Sequence, residues 1–359
     1  MSTPPIPMQF QPDFRRPVQP RPYRLTLFLA GVLWIIAASS FAERGAQGIV
    51  TRLNLPAFYE LLHQAFLLFL LLWGFSLIHR LATRSNGDLR FTNALPTRPT
   101  AREEWQRGAA LGWGILLVAL LPMMLTGTLH PGFYLQPHNW SLALLSIATL
   151  ALSTLALEVT FRGFIFARLI DTIGSTAATI LLSMAYAFFS GYRPNSTGLS
   201  MVVTFFLGIL FSLAYLRTRA LWLGWGLHFA WNVSMAVLFG LPLAGYETYN
   251  NLVLTSVTGP DWLTGGAYGP EGALLTILVL ISATFVLEHI TRTYAWNYTH
   301  APIVAAGIPW DITPPPAHTA MEAATAPTPL VQILTTTSTT TSTNPLIDDH
   351  LRRTPTPED

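Results

Sequence analysis

Apolar residues in this chain run in long uninterrupted blocks separated by short polar stretches, with neither strand alternation nor a one-sided helical stripe. Eight blocks stand out, at residues 25–42, 58–78, 108–125, 140–161, 173–190, 199–216, 221–239 and 272–290. A helix rises about 1.5 Å per residue, so blocks of roughly twenty residues match a hydrocarbon core about 30 Å thick. The pattern predicts an all-α fold: a polytopic membrane bundle of about eight transmembrane helices within residues 25–295. Composition agrees, with 51% hydrophobic and 11% charged residues and a mean hydropathy of +0.42.

The departures from this pattern carry the chemistry. Within the fourth block Glu158 precedes Arg162 by four residues, and within the seventh His228 precedes Asn232 by the same spacing. Residues four apart on a helix return to nearly the same face one turn on, so each couple presents two polar groups together. Ionisable groups at membrane depth are costly and mark either a site or a structural pair. Counting residues along each block from its inner end puts both couples at similar depth, which lets them converge in one cavity opening toward the cytoplasm if the fourth and seventh helices are neighbours.

Charge sets the expected orientation. All 20 basic residues are Arg. Eight spans with the N-terminus inside place all but Arg44, Arg52 and Arg193 on the cytoplasmic side, where basic residues concentrate, and return the C-terminus to that side. The formal net charge of only +2 gives no indication of nucleic-acid binding; membrane lipids are the expected surroundings, and a bacterial cytoplasmic membrane the expected location. Without cysteine, thiol catalysis, Cys metal sites and disulfides are excluded.

Three segments fall outside the expected bundle. Residues 1–24 are Pro-rich and read as a disordered cytoplasmic N-terminus. The 79–107 connection, with Glu103 and Glu104 before Trp105, reads as a cytoplasmic loop ending in a short interfacial helix. Residues 302–359 turn to Pro, Ala and Thr, with TTTSTTTST at 335–343, and read as a disordered Pro/Thr-rich tail.

The string LEVTFRGFIFARL at 157–169 resembles the EExxFRG helix of the CPBP intramembrane metalloproteases, which include the type 2 CAAX prenyl proteases and the Abi proteins. LAYLRTRALWLGWGLHFAWN at 213–232 is similar to that family's approach to its HxxxN motif, and TGPDWLTGGAYGPEGALL at 258–275 also fits. The resemblance covers about residues 103–290. It implies an intramembrane metalloendopeptidase acting on membrane or prenylated peptides, with zinc or another divalent metal as cofactor. It carries Glu158 over as the second Glu of the motif, Arg162 as its Arg, and His228 with Asn232 as the HxxxN pair; Glu158 and His228 are the candidate metal ligands, and all four are candidate catalytic residues.

Two parts of the family pattern are missing. Leu157 stands where the first Glu is expected, and Gly191, or Ser190 with a shift of one, stands where the FxxxH His is expected. A catalytic metal takes three protein ligands and an open position, and a hydrolytic water needs a placed base, neither of which Leu supplies. Three readings follow: a catalytically degenerate protease fold that binds membrane peptides, an active protease with a rearranged site using Glu158 and His228, and a small-molecule transporter. Plainer accounts of the same residues are a buried Glu158–Arg162 ion pair and interhelical hydrogen bonds from His228 and Asn232. Glu60 with His63 reads as a wetted helix end.

Overall fold

A computed structural model describes residues 21–83, 94–246 and 252–292, all within the compact unit Met1–Pro302; the Pro-rich 1–20 stretch and the 302–359 tail lie outside the described residues. Every one of the eight apolar blocks is helical. In chain order the helices are α1 (Arg21–Leu53), α2 (Tyr59–Thr83), α3 (Ala101–Leu125), α4 (Pro137–Arg162), α5 (Phe164–Ile173), α6 (Ser175–Ser190), α7 (Gly198–Thr218), α8 (Trp222–Val233) and α9 (Leu274–Ile290). Among the described residues five helical stretches are long and apolar enough to cross a membrane: α1, α2, α3, the α4–α5 run and α7. α6 and α9 are apolar but shorter, and α8 is extended by a π-helical turn over Ser234–Leu238. This is a multi-pass membrane protein by the length and apolarity of its helices.

The exposed surface is that of a protein in lipid. Leu33, Phe69, Leu125, Leu144 and Phe285 face outward, while the buried face of α1 is a stripe of small residues, Gly31, Ala38, Ala42 and Ala46. Between membrane helices apolar surface gains nothing over lipid, so close packing of small residues carries association. The tightest example seats α8. A Cβ on Gly108 or Gly112 of α3 would lie 2.1 or 2.2 Å from the carbonyl oxygens of Leu223 or Leu227, and one on Gly226 of α8 would lie 2.1 Å from that of Trp105. Only glycine permits this approach, and it fixes the helix that carries His228.

Three local features differ from the sequence expectations. A further helix lies between the fourth and fifth expected blocks: α4 stops at Gly163, where a Cβ would meet the Val159 carbonyl oxygen at 2.4 Å, and the chain restarts as α5. Glu103–Trp105 belong to the first turn of α3 itself, and Glu104 is fully buried in an ion pair with Arg98 and a 2.8 Å hydrogen bond from Thr100 Oγ1. Arg98 also donates to the Thr218 carbonyl at 3.0 Å, Leu221 N to the Ala94 carbonyl and Trp222 Nε1 to the Pro96 carbonyl, so residues 94–98 are clipped onto the α7–α8 turn. Lastly, a small antiparallel pair absent from the all-helical expectation joins β1 (Leu129–Phe133) to β2 (Val253–Val257).

Candidate functional site

Four turns of polar chemistry converge where α4, α7 and α8 meet. Glu158 is 0% exposed and accepts a 2.8 Å hydrogen bond from, or donates one to, His228 Nδ1 through Oε1, the direction depending on which of the two holds the proton. Arg162, one turn along α4, places Nη1 3.7 Å from the same oxygen and donates from Nη2 to the Gly208 carbonyl at 3.3 Å. Its guanidinium sits among three aromatic faces, 4.8 Å from the centroid of Tyr186, 5.1 Å from Phe211 and 5.6 Å from Phe161. Such cation–π contacts are how a buried Arg keeps favourable electrostatics without water. The His228 ring stacks on Phe211 at 4.4 Å with a 20° interplanar angle. Gly224 completes the fit, because any Cβ there would stand 3.3 Å from Glu158 Oε2.

The network is not closed. Glu158 Oε2 and Arg162 Nε and Nη1 are buried without a hydrogen-bond partner, as are the hydroxyls of Ser183 and Ser212. A Cβ on Gly208 would fall 3.0 Å from Ser183 Oγ, so that hydroxyl lies beside the Arg162 end of the network. Unsatisfied polar atoms at such depth are expensive and ordinarily hold water or a ligand group.

Beside this network lies a cavity of about 950 Å³, walled by residues of α1, α2, α4 and α8. The two couples predicted to share one cavity divide differently: His228 and Asn232 border it, whereas Glu158 and Arg162 stand behind its wall. At the motif end of α4 the residues that do border it are Ala156, Leu157, at the position of the missing first Glu, and Thr160. A rotation of about 100° per residue explains the difference: Leu157 and Glu158 cannot face the same way on one helix. The cavity also opens at the end opposite to the one expected. It reaches exposed Glu43, Ala57 and Glu60 at the α1–α2 turn, far from the Arg98, Arg168 and Arg217 end that the charge pattern assigns to the cytoplasm. Arg162, counted there as a cytoplasmic charge, is 1% exposed inside the bundle.

Of the two positions considered for the missing FxxxH His, Ser190 is buried at the end of α6, while Gly191 is exposed past it and would aim a Cβ at Phe188 O and Met201. Ser190 is therefore the position from which a side chain stays within the bundle. Glu60 and His63 do line the cavity mouth, joined by Glu43 and Tyr59. His130 and His138 lie outside the cavity, the former against Thr258 on the strand pair.

Sequence reasoning missed Glu271 and Arg193, both on the cavity wall. Glu271, in the short turn before α9, receives a 2.9 Å hydrogen bond from Nε1 of fully buried Trp231. Burial works against the charge on Arg193, but the facing Tyr186, Tyr268 and Glu271 outweigh it and hold its pKa above the ordinary arginine value. Burial and then Glu271 push the Tyr268 phenol upward. The signal available in the sequence was an acid inside a Gly/Pro-rich turn next to an apolar block, GGAYGPEGALL, a context in which an exposed loop acid is the ordinary expectation.

The family model described as "Type II CAAX prenyl endopeptidase Rce1-like" matches residues 137–234, the segment holding α4 to α8 with both polar couples. Residues 137–234 are thus similar to a CPBP-family domain. No curated protein and no solved structure gives a significant match. The matched domain thus ends just past Asn232, and the wall contributed by Glu271, α1 and α2 lies outside it.

Whether this segment can hold the metal that the sequence resemblance implies is decided by its donors. Among the described residues no group of three His, Asp or Glu side chains is close enough to bind a metal ion. His228 commits Nδ1 to Glu158, and Leu157 offers the cavity a hydrocarbon surface. These residues do not fit a three-ligand hydrolytic metal site.

Proposed function

We propose that this CPBP-like domain is catalytically degenerate and uses the protease fold to bind a membrane peptide in its cavity. The observation that carries this reading is the position of Leu157: where the resemblance expects the first Glu, the cavity wall carries an apolar side chain, and the carboxylate next to it is turned inward against His228 and Arg162. A hydrolytic water in the cavity would find His228 and Asn232 but no α4 carboxylate. The volume and mixed lining fit an extended peptide segment, with Leu142, Leu145 and Leu243 beside hydroxyls of Ser146, Thr149 and Ser153. Incubating the purified protein with a prenylated peptide that carries a photo-cross-linker tests it. The expected result is a cross-link to α4 or α8 at the mass of the intact peptide; shortened peptide products that vanish in His228→Ala would overturn the reading.

The Glu158–His228 hydrogen bond favours a second reading, an active protease with a rearranged site. A carboxylate that fixes one imidazole nitrogen orients the other, and here His228 borders the cavity, so His228 would be the base and Glu158 its positioning residue. In that case Glu158→Gln would lower kcat far more than KM.

A further inference from the structure

The α4 network leaves the cavity without the family's carboxylate, yet three other carboxylates reach it. Glu43 and Glu60 stand at the mouth, and Glu271, 6% exposed, stands on the wall that also carries His228 and Asn232. Against these three acids the cavity presents one guanidinium, Arg193, which already faces Glu271. The lining is therefore net acidic. The cavity is prepared for a polar guest as well: the Asn232 amide, 7% exposed and bordering the cavity, has no hydrogen-bond partner among the described residues, and Tyr59, Tyr186 and Tyr246 are among the lining residues.

We infer that the cavity selects a ligand with a cationic head on an apolar chain, and that Glu271 is the residue that recognises the head. This deepens the peptide-binding reading and rests on it. A buried carboxylate attracts an ammonium or guanidinium strongly because little water screens it, so in a net acidic lining a cationic guest is favoured over a neutral one of the same shape. Glu271 is well held for the task. Trp231 Nε1 of α8 fixes one oxygen, Thr276 Oγ1 donates to the Pro270 carbonyl at 2.7 Å, and the turn packs against α7. Aromatic faces in the lining add cation–π attraction, while Leu67, Leu142, Leu145 and Leu157 receive the chain. Two sources share this chemistry: a Lys or Arg side chain of a membrane peptide, and a free long-chain amine.

The test uses the full-length protein in lipid nanodiscs and a fluorescent apolar peptide with a single central Lys, alongside the same peptide with norleucine. The Lys peptide is expected to bind about tenfold more tightly, a difference of about 1.4 kcal/mol. Glu271→Gln retains an oxygen for Trp231 and removes only the charge, so it should abolish the preference and leave the norleucine peptide unaffected. The double variant Glu43→Gln/Glu60→Gln, at the exposed mouth, should reduce the preference by a smaller factor and keeps the test valid if Glu271→Gln misfolds. Competition by dodecylamine but not dodecanol identifies the free amine as a ligand; failure of dodecylamine to compete assigns the site to peptide. Equal affinity for the two peptides, or a preference that survives the removal of these carboxylates, overturns the inference while leaving peptide binding itself standing.

Discussion

Two buried carboxylates in this molecule differ in how far their needs are met. Glu104, fully buried, has Arg98 on one oxygen and Thr100 on the other, and Arg98 goes on to the Thr218 carbonyl. Glu158, equally buried, has His228 on one oxygen and nothing on the other, and the Arg162 guanidinium beside it leaves two nitrogens unpartnered. The first satisfies both oxygens of its carboxylate and ties the 94–98 segment to the turn before α8. The second resembles part of a larger constellation. Folding for stability alone favours closing such networks, because each buried orphan group costs about 1–3 kcal/mol. An open network beside the cavity is what the proposed loss of the hydrolytic parts would leave behind.

The sharpest way to test the contrast is to break each network at one partner. Glu104→Ala removes the countercharge of buried Arg98 and should cost roughly 3–5 kcal/mol, read as a large fall in melting temperature in a fixed detergent. Replacing both partners, in Arg98→Met/Glu104→Met, should recover most of that loss, since a buried pair is worth little more than apolar residues of the same volume. If the double variant is as unstable as the single one, the clip is more than an ion pair.

Arg162→Ala should come next, destabilising by about 2–4 kcal/mol as the aromatic cage empties and Glu158 loses its countercharge. Arg168→Ala should cost under about 1 kcal/mol, because its pair with Asp171 is partly exposed. Equal melting temperatures for the two Arg variants would refute the pairing. The smallest effect is expected at Asn232→Ala, where an amide without a partner is removed from the cavity wall: a change within about 0.5 kcal/mol in stability, with peptide binding weakened. A large loss of stability there would place Asn232 in the structural half of the comparison.

Much of this was legible in the sequence for a physical reason. Eight long apolar blocks admit few alternatives to membrane helices, and polar residues spaced four apart inside them had to face a partner, which is how Glu158, Arg162, His228 and Asn232 could be named together. Facing direction relative to the cavity was beyond reach. Whether Leu157 or Glu158 borders it depends on the rotation of α4 against α8, where Gly224 makes room for Glu158, a residue far away in the chain. The same holds for Glu104, which reads as a surface acid until the 94–98 segment folds over it. The end at which the cavity opens also escaped, since Arg placement reports on orientation and not on where helices splay.

The central claim, a protease fold whose site has lost its hydrolytic parts, is tested most directly by rebuilding those parts and measuring peptide cleavage side by side with the unmodified protein. Leu157→Glu returns a carboxylate to the cavity wall, and Ser190→His supplies an imidazole from the buried end of α6. The account predicts no cleavage of a prenylated peptide by the unmodified protein or by either single variant, and cleavage with bound zinc in the double variant. Robust cleavage by the unmodified protein, lost in Glu158→Gln or His228→Ala, would contradict it.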